Sequence, residues 1–191
     1  MSTVKSKKLQ VGTDATSSNN STIAQPSSPN GTLEIGQGNA DSYTKVGEFN
    51  ANGYKPAQPV AFRAYSTTSQ TGVSGGVSTK ILFDTEEFDT GNNYASSKFT
   101  APVNGYYHFT SATHMQGPNG AYDIQLWING VRKVYFAVSY SNGTNVSPAL
   151  SEMVYLNASD YVEIYGRSAT ATTFYGGASL TFFSGILISQ A

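Results

Sequence analysis

The chain has 191 residues, only 12% of them charged, with a formal net charge of −1 and no cysteine. An ordinary soluble domain carries about 25% charged residues, and a balance this near zero implies neither a nucleic-acid surface nor an anionic-membrane surface. Without cysteine there are no disulfides, zinc–thiolate sites or thiol nucleophiles. No apolar run approaches a membrane span and MSTVKSKKLQVG has no apolar signal core, so the expectation is folding in a cytoplasm with no membrane insertion.

Residues 1–58 hold short alternating runs, KLQVG, GTLEIGQGN and KVGEFNANGY, between Asn-Gly, Ser-Pro and glycine-rich turns. So few large apolar residues do not offset the entropy of ordering the segment around a core of its own. Composition alone admits a disordered tail. The alternation of Leu9 with Val11, and of Leu33 with Ile35, favours an extended arm that pairs with a neighbour. YKPAQPV, with prolines at 56 and 59, reads as a stiff extended linker.

From Pro59 onward, alternation and turn signals predict strands near 59–65, 77–83, 97–101, 105–113, 121–128, 131–139, 149–156, 160–166 and 178–188. In FTAPVNGYYHFTSATH, residues 99–114, Tyr107, Phe109 and Ser111 share one face of a strand and Tyr106, His108 and Thr110 the other. Asn129-Gly130 in WINGVRKV suits a two-residue type I′ turn, which needs positive φ at both centres. SLTFFSGILIS places Leu180, Phe182, Ile186 and Ile188 on one face and Phe183 and Leu187 on the other. A sandwich strand ordinarily shows one face to water, so the second apolar face calls for cover by another subunit. With Tyr106 and His108 beside them, Leu180, Phe182, Ile186 and Ile188 form the expected oligomer interface. The fold class is all-β: an antiparallel two-sheet sandwich over 59–191, with Greek-key or jelly-roll connections, behind an extended N-terminal arm and linker over 1–58.

YASSKFTAPVNGYYHF, LWINGVRK, LNASDYVEI and FFSGILI, in that order, resemble the globular heads of complement component one, subcomponent q, in the tumour-necrosis-factor superfamily. The pattern Phe-x-Ala-Pro-x-x-Gly-x-Tyr-x-Phe is met by Phe99, Ala101, Pro102, Gly105, Tyr107 and Phe109, and its Asn-Gly by Asn129 and Gly130. Leu156, Asp160 and Val162 follow Leu-x-x-Gly-Asp-x-Val, with Ser159 in place of the glycine. Phe183, Gly185 and Leu187 meet Phe-x-Gly-x-Leu, PVAFRAY resembles the family's first strand, and the approach to Phe99 is shortened to YASSKF. The resemblance implies a jelly roll of about ten strands, assembled as a tight trimer around an apolar axis. No Gly-x-y collagen repeat accompanies it. KLQVGTDATSSNN, QPSSPNGTLEIGQGNA and FNANGY are similar to the start of virion structural proteins of tailed bacteriophages, cyanobacterial-phage fibres among them. That implies docking on a tail, baseplate or major capsid protein through Leu9, Val11, Leu33 and Ile35.

DTEEFD gathers Asp84, Glu86, Glu87 and Asp89, oxygen ligands dense enough for Ca²⁺ but without the spacing and glycine of a calcium loop. Its alternative is a solvated turn or a salt link to Arg63 or Lys98, and no other cofactor is expected. His108 and His114 lack a nucleophile and an orienting carboxylate, so no catalytic residue is assigned. MQGPNGAY, SYSNGTNVS and SATATTFYGG mix aromatics with Ser, Asn and Gly, as adaptable recognition surfaces do. Asn119, Tyr122, Tyr140, Asn142, Phe174 and Tyr175 are their candidate ligand contacts, with ordinary connecting loops as the alternative. The expected function is a non-enzymatic, homotrimeric virion fibre or fibre tip, attached through its arm and presenting the head to a host-surface glycan or protein. A capsid decoration trimer is the alternative, and a glycan-degrading tailspike enzyme the third reading.

Overall fold

Alternating runs that follow one another along the chain place each strand's backbone groups nearest its neighbour in sequence, and the N-terminal strands pair accordingly. The computed structural model describes residues 8–13, 15–16, 19–25, 31–39, 42–56, 60–117 and 119–191, with backbone alone at 54–56 and 136–139. The chain divides into two compact units, Met1–Pro59 and Val60–Ala191.

In the first unit, β1 (Lys8–Val11), β2 (Ser21–Ala24), β3 (Leu33–Asn39), β4 (Ser42–Asn50) and β5 (Gly53–Pro56) form one antiparallel sheet in that order. Leu9 lies opposite Ile23 and Ile23 opposite Ile35, while Leu33 faces Phe49. The runs expected to pair with a neighbour thus take main-chain partners within the chain, since antiparallel strands close in sequence satisfy one another's backbone groups. Of the linker expected at YKPAQPV, residues 54–56 instead pair with β4 as part of β5, and 57–59 lie outside the described residues.

In the second unit the chain runs through β6 (Ala61–Tyr65), β7 (Gln70–Val73), β8 (Thr79–Lys80), β9 (Thr85–Asp89), β10 (Tyr94–Ala95), β11 (Lys98–Thr100) and β12 (Gly105–Ala112). It continues with β13 (His114–Met115), β14 (Asn119–Ile128), β15 (Val131–Asn142), β16 (Ala149–Leu156), β17 (Tyr161–Ser168), β18 (Thr172–Tyr175) and β19 (Phe182–Gln190). One sheet has the order β16-β12-β19-β6-β9, the opposing one β10-β11-β17-β14-β15 with β8 also on β17, and a small sheet β13-β18-β7 completes the unit. Pairing of β12 with β16 and β19, and of β6 with β19, is non-sequential and gives the jelly-roll crossovers. The hairpin between β14 and β15 turns at Asn129 and Gly130, whose φ values are 52° and 73°, as a type I′ turn requires. Strands β7, β9 and β18 form where the sequence reading had loops, while Thr79–Lys80 is all the ladder that develops within 77–83.

The core between the two larger sheets is aromatic. Phe62 stacks on Phe99 at 4.9 Å and on Tyr94 at 5.1 Å, and meets Phe183 edge-on at 4.8 Å. Phe109 packs against Phe99 and Phe183 at 5.4 and 5.7 Å. Opposite them, Ile124, Leu126, Val162 and Ile164 line the inner face of β14 and β17. Gly185 of β19 makes room for the rings: a Cβ there would lie 2.5 Å from Phe109 and 2.7 Å from Phe62. Tyr107, Phe109 and Ser111 point inward and Tyr106 outward, as the alternation along β12 requires.

Candidate functional site

The outer face of the sheet β16-β12-β19-β6-β9 gathers side chains that a water-facing strand ordinarily lacks. Register sets Tyr106 opposite Tyr155 and His108 opposite both Met153 and Ile186. Tyr106, Met153, Tyr155, Ile186, Ile188 and the nearby Phe88 of β9 are between 43% and 56% exposed. Tyr106 and Tyr155 meet edge-on at 5.4 Å, and Phe88 flanks a shallow depression of about 210 Å³ floored by Phe62 and Gly185. Polar side chains on this face bond among themselves. The His108 ring bonds Ser151 at 2.9 Å, Thr110 bonds Ser184 at 2.7 Å, and Arg63 pairs with Glu87 while donating to the Ala178 carbonyl at 2.7 Å. The Arg63 guanidinium also lies 5.2 Å over Phe182.

Of the interface residues expected from sequence, Tyr106, His108, Phe182, Ile186 and Ile188 share this face, although β19 has a bulge opposite Tyr106 and Tyr107. Leu180 does not. It sits in the turn before β19, its amide bonded to the Gly177 carbonyl, and its side chain packs on Gly177, because the Gly176-Gly177 pair turns the chain before the strand starts. Met153, Tyr155 and Phe88 escaped the reading. The alternation of Met153 with Tyr155 in SEMVYL was available as a signal, but β12 as their neighbour is a non-local fact.

The six candidate ligand contacts separate. Asn119 lies opposite Asn142 at the open end of the β14–β15 hairpin, with Tyr140 (80% exposed) opposite Ala121. Phe174 is a correction: it is buried in the core on β18, between β13 and β7. Tyr122 packs against that core too, and Tyr175 lies 5.4 Å from the His114 ring. The alternation of Thr172 and Phe174 turns both inward once the small sheet forms, so SATATTFYGG is not a free loop.

The DTEEFD carboxylates do not converge, since successive β-strand side chains point to opposite faces. Asp84 accepts bonds from the Thr67 amide and hydroxyl, the Thr68 amide and the Thr85 hydroxyl. Burial raises its pKa, yet these donors together hold it down to about 2. Asp89 accepts from the amides of Gly91 and Tyr94, and Glu87 is taken by Arg63. Among the described residues, no three His, Asp or Glu side chains stand close enough to hold a metal ion.

At the Asn129 turn, Asp160 accepts from the Asn129 side-chain amide at 2.7 Å and from the Asn157 amide at 2.8 Å, and the Asn129 bond leads in lowering its pKa. Ser159, where the family pattern has glycine, has φ of 75°, a backbone region that favours glycine.

The C1q domain model matches residues 61–188. Among solved structures, the globular domain of zebrafish complement 1qA superposes with a TM-score of 0.55 at 16% identity, covering 70% of this chain and all of the other. Murine APRIL gives 0.53 at 12% identity over 69% of this chain and all of its own. Eiger, a TNF of S. frugiperda, gives 0.54 at 12% over 70% and 95%. Among curated proteins, none matches the chain. At such identities the structural likeness establishes the fold, while the family match spans two-thirds of the chain and includes the jelly-roll strands from β6 to β19: the chain belongs to the C1q domain family.

Proposed function

We propose that this protein works by binding rather than by catalysis, as a homotrimer whose C1q-type head is carried on a tailed-bacteriophage virion. The observation that carries the trimer is the outer face of β16-β12-β19-β6-β9, where Tyr106, Met153, Tyr155, Ile186 and Ile188 stand together in the open. Fully burying a side chain of this kind contributes about 1.5–3 kcal/mol, and association around a threefold axis covers the strip in all copies at once. The N-terminal unit attaches the trimer to the particle, a reading supported by the likeness of its runs to the start of tailed-phage structural proteins. The head then presents the Asn119, Tyr140 and Asn142 end of the β14–β15 hairpin to a host-surface glycan or protein.

Light scattering of the full chain at micromolar concentration tests the trimer. An assembly of three chains is expected for the parent and a single chain for Ile186→Asp with Phe182→Asp; a monomeric parent overturns the assembly. Quantitative mass spectrometry of purified particles of the phage encoding the chain tests the context. Tens of copies per particle agree with a fibre, while hundreds indicate capsid decoration. Absence from the particle overturns the virion reading.

A further inference from the structure

The N-terminal sheet is inside out. Register places Leu9, Val11, Ile23, Leu33 and Ile35 on one face of β1, β2 and β3, with Leu9, Val11 and Leu33 exposed by 59%, 56% and 43%. The opposite face carries Thr22, Ala24, Gly36 and Gly38, and it is that face which is buried. Tyr43 covers it by lying across Gly36, where no Cβ could fit beneath the ring. The Tyr43 hydroxyl donates to Glu34 at 2.7 Å, Lys45 bridges Glu34 and Glu48 at 3.2 and 2.6 Å, and Lys8 lies 5.6 Å over the Tyr43 ring. Charge and cover therefore sit on the small-residue side, and among the described residues the aliphatic side carries no charged group.

We infer that the aliphatic faces of three copies of this sheet pack against one another, so that residues 8–56 form a second trimeric core. The occupant follows from two features. First, a sheet buries an apolar face only against another layer, and an aliphatic face with no charge among its described residues has the composition of a homo-oligomer interface rather than of a transient one. Glu34, Lys45 and Glu48, which a polar rim would use, are committed to each other on the far side. Second, only four residues separate Pro56 at the end of β5 from Ala61 at the start of β6. Once three heads associate, so short a tether holds three identical faces at millimolar effective concentration, well ahead of any foreign partner. The inference rests on the head trimer proposed above and gives Leu9, Val11, Leu33 and Ile35 to neighbouring copies instead of to another virion protein.

The cysteine-free chain makes the test direct. Leu33→Cys, on the aliphatic face, and Lys45→Cys, on the opposite face, are each made in the full chain and treated with a short bis-maleimide. The expected result is a covalent dimer band several-fold stronger for Leu33→Cys than for Lys45→Cys, with light scattering still reporting three copies. Equal crosslinking in an intact trimer overturns the inference and leaves the head trimer standing. A monomer in light scattering removes the head trimer and this inference together, whereas in whole particles a Leu33→Cys adduct to a different protein assigns the face to that partner and overturns the inference alone. Leu9→Cys, on an edge strand of the same face, repeats the comparison if Leu33→Cys disturbs the sheet.

Discussion

Gly185 and Phe109 form a tight steric pair in the core of the head, and their coupling is measurable. A Cβ at Gly185 would lie 2.5 and 2.7 Å from Phe109 ring carbons and 2.7 Å from Phe62, inside any tolerable contact. Both rings are fully buried and are held by Phe99 and Phe183, so neither swings aside freely. Gly185→Ala should therefore cost about 1–3 kcal/mol by overpacking. Phe109→Ala, which leaves a cavity instead, should cost about 3–5 kcal/mol. If the two were independent, the double variant would lose about 4–8 kcal/mol by summing those ranges, enough to unfold a domain of ordinary stability. Because the methyl of one fills the space vacated by the other, the double variant should be at least about 1 kcal/mol more stable than the sum. The relief is partial, since Phe62 still crowds the position. Urea unfolding of the full chain, followed by the fluorescence of Trp127, reads the head selectively: Trp127 is the only tryptophan and stacks on Tyr165 at 4.3 Å. Additivity within about 0.3–0.5 kcal/mol, or a neutral Gly185→Ala, would refute the packing argument.

Ser159→Gly should raise the stability of the head by up to about 1 kcal/mol, because φ of 75° strains a serine and not a glycine; an unchanged urea midpoint would mean the turn carries no strain. Asp84 has its pKa lowered from 3.8 to about 2, so its contribution is present in full above pH 3.8 and fades as pH falls through 2. Solvent screening at this exposed carboxylate limits the effect to about 1 kcal/mol; the stability gap between parent and Asp84→Asn should close over that window, and a gap independent of pH argues against charge as its source. Phe174→Ala should cost about 3–5 kcal/mol and Tyr140→Ala less than about 0.5 kcal/mol. Thermal melts that rank the two in reverse would return Phe174 to the surface.

Local chemistry made part of this protein legible from sequence. Period-two alternation is a property of any extended backbone, so it assigned Tyr107 and Phe109 to one face of β12 and Tyr106 and His108 to the other without knowledge of a partner strand. Positive φ is a demand on two residues alone, so Asn129-Gly130 declared its hairpin. The doubly apolar β19 announced that something must cover Phe182, Ile186 and Ile188. Which face meets water, however, depends on strands far away in sequence. Met153 and Tyr155 joined the candidate interface because β16 pairs with β12, and Phe174 left the recognition surface because β18 lies between β13 and β7. Leu180 left the interface because the turn after the double glycine delays the start of its strand to Phe182. The N-terminal runs showed the same division. Their alternation was visible in Leu9, Val11, Leu33 and Ile35, but pairing alone aligned these residues with Ile23 into one open face, while Tyr43 closed the other over Gly36. Alternation divides side chains into two sets by backbone geometry, and only long-range pairing and packing decide which set is buried.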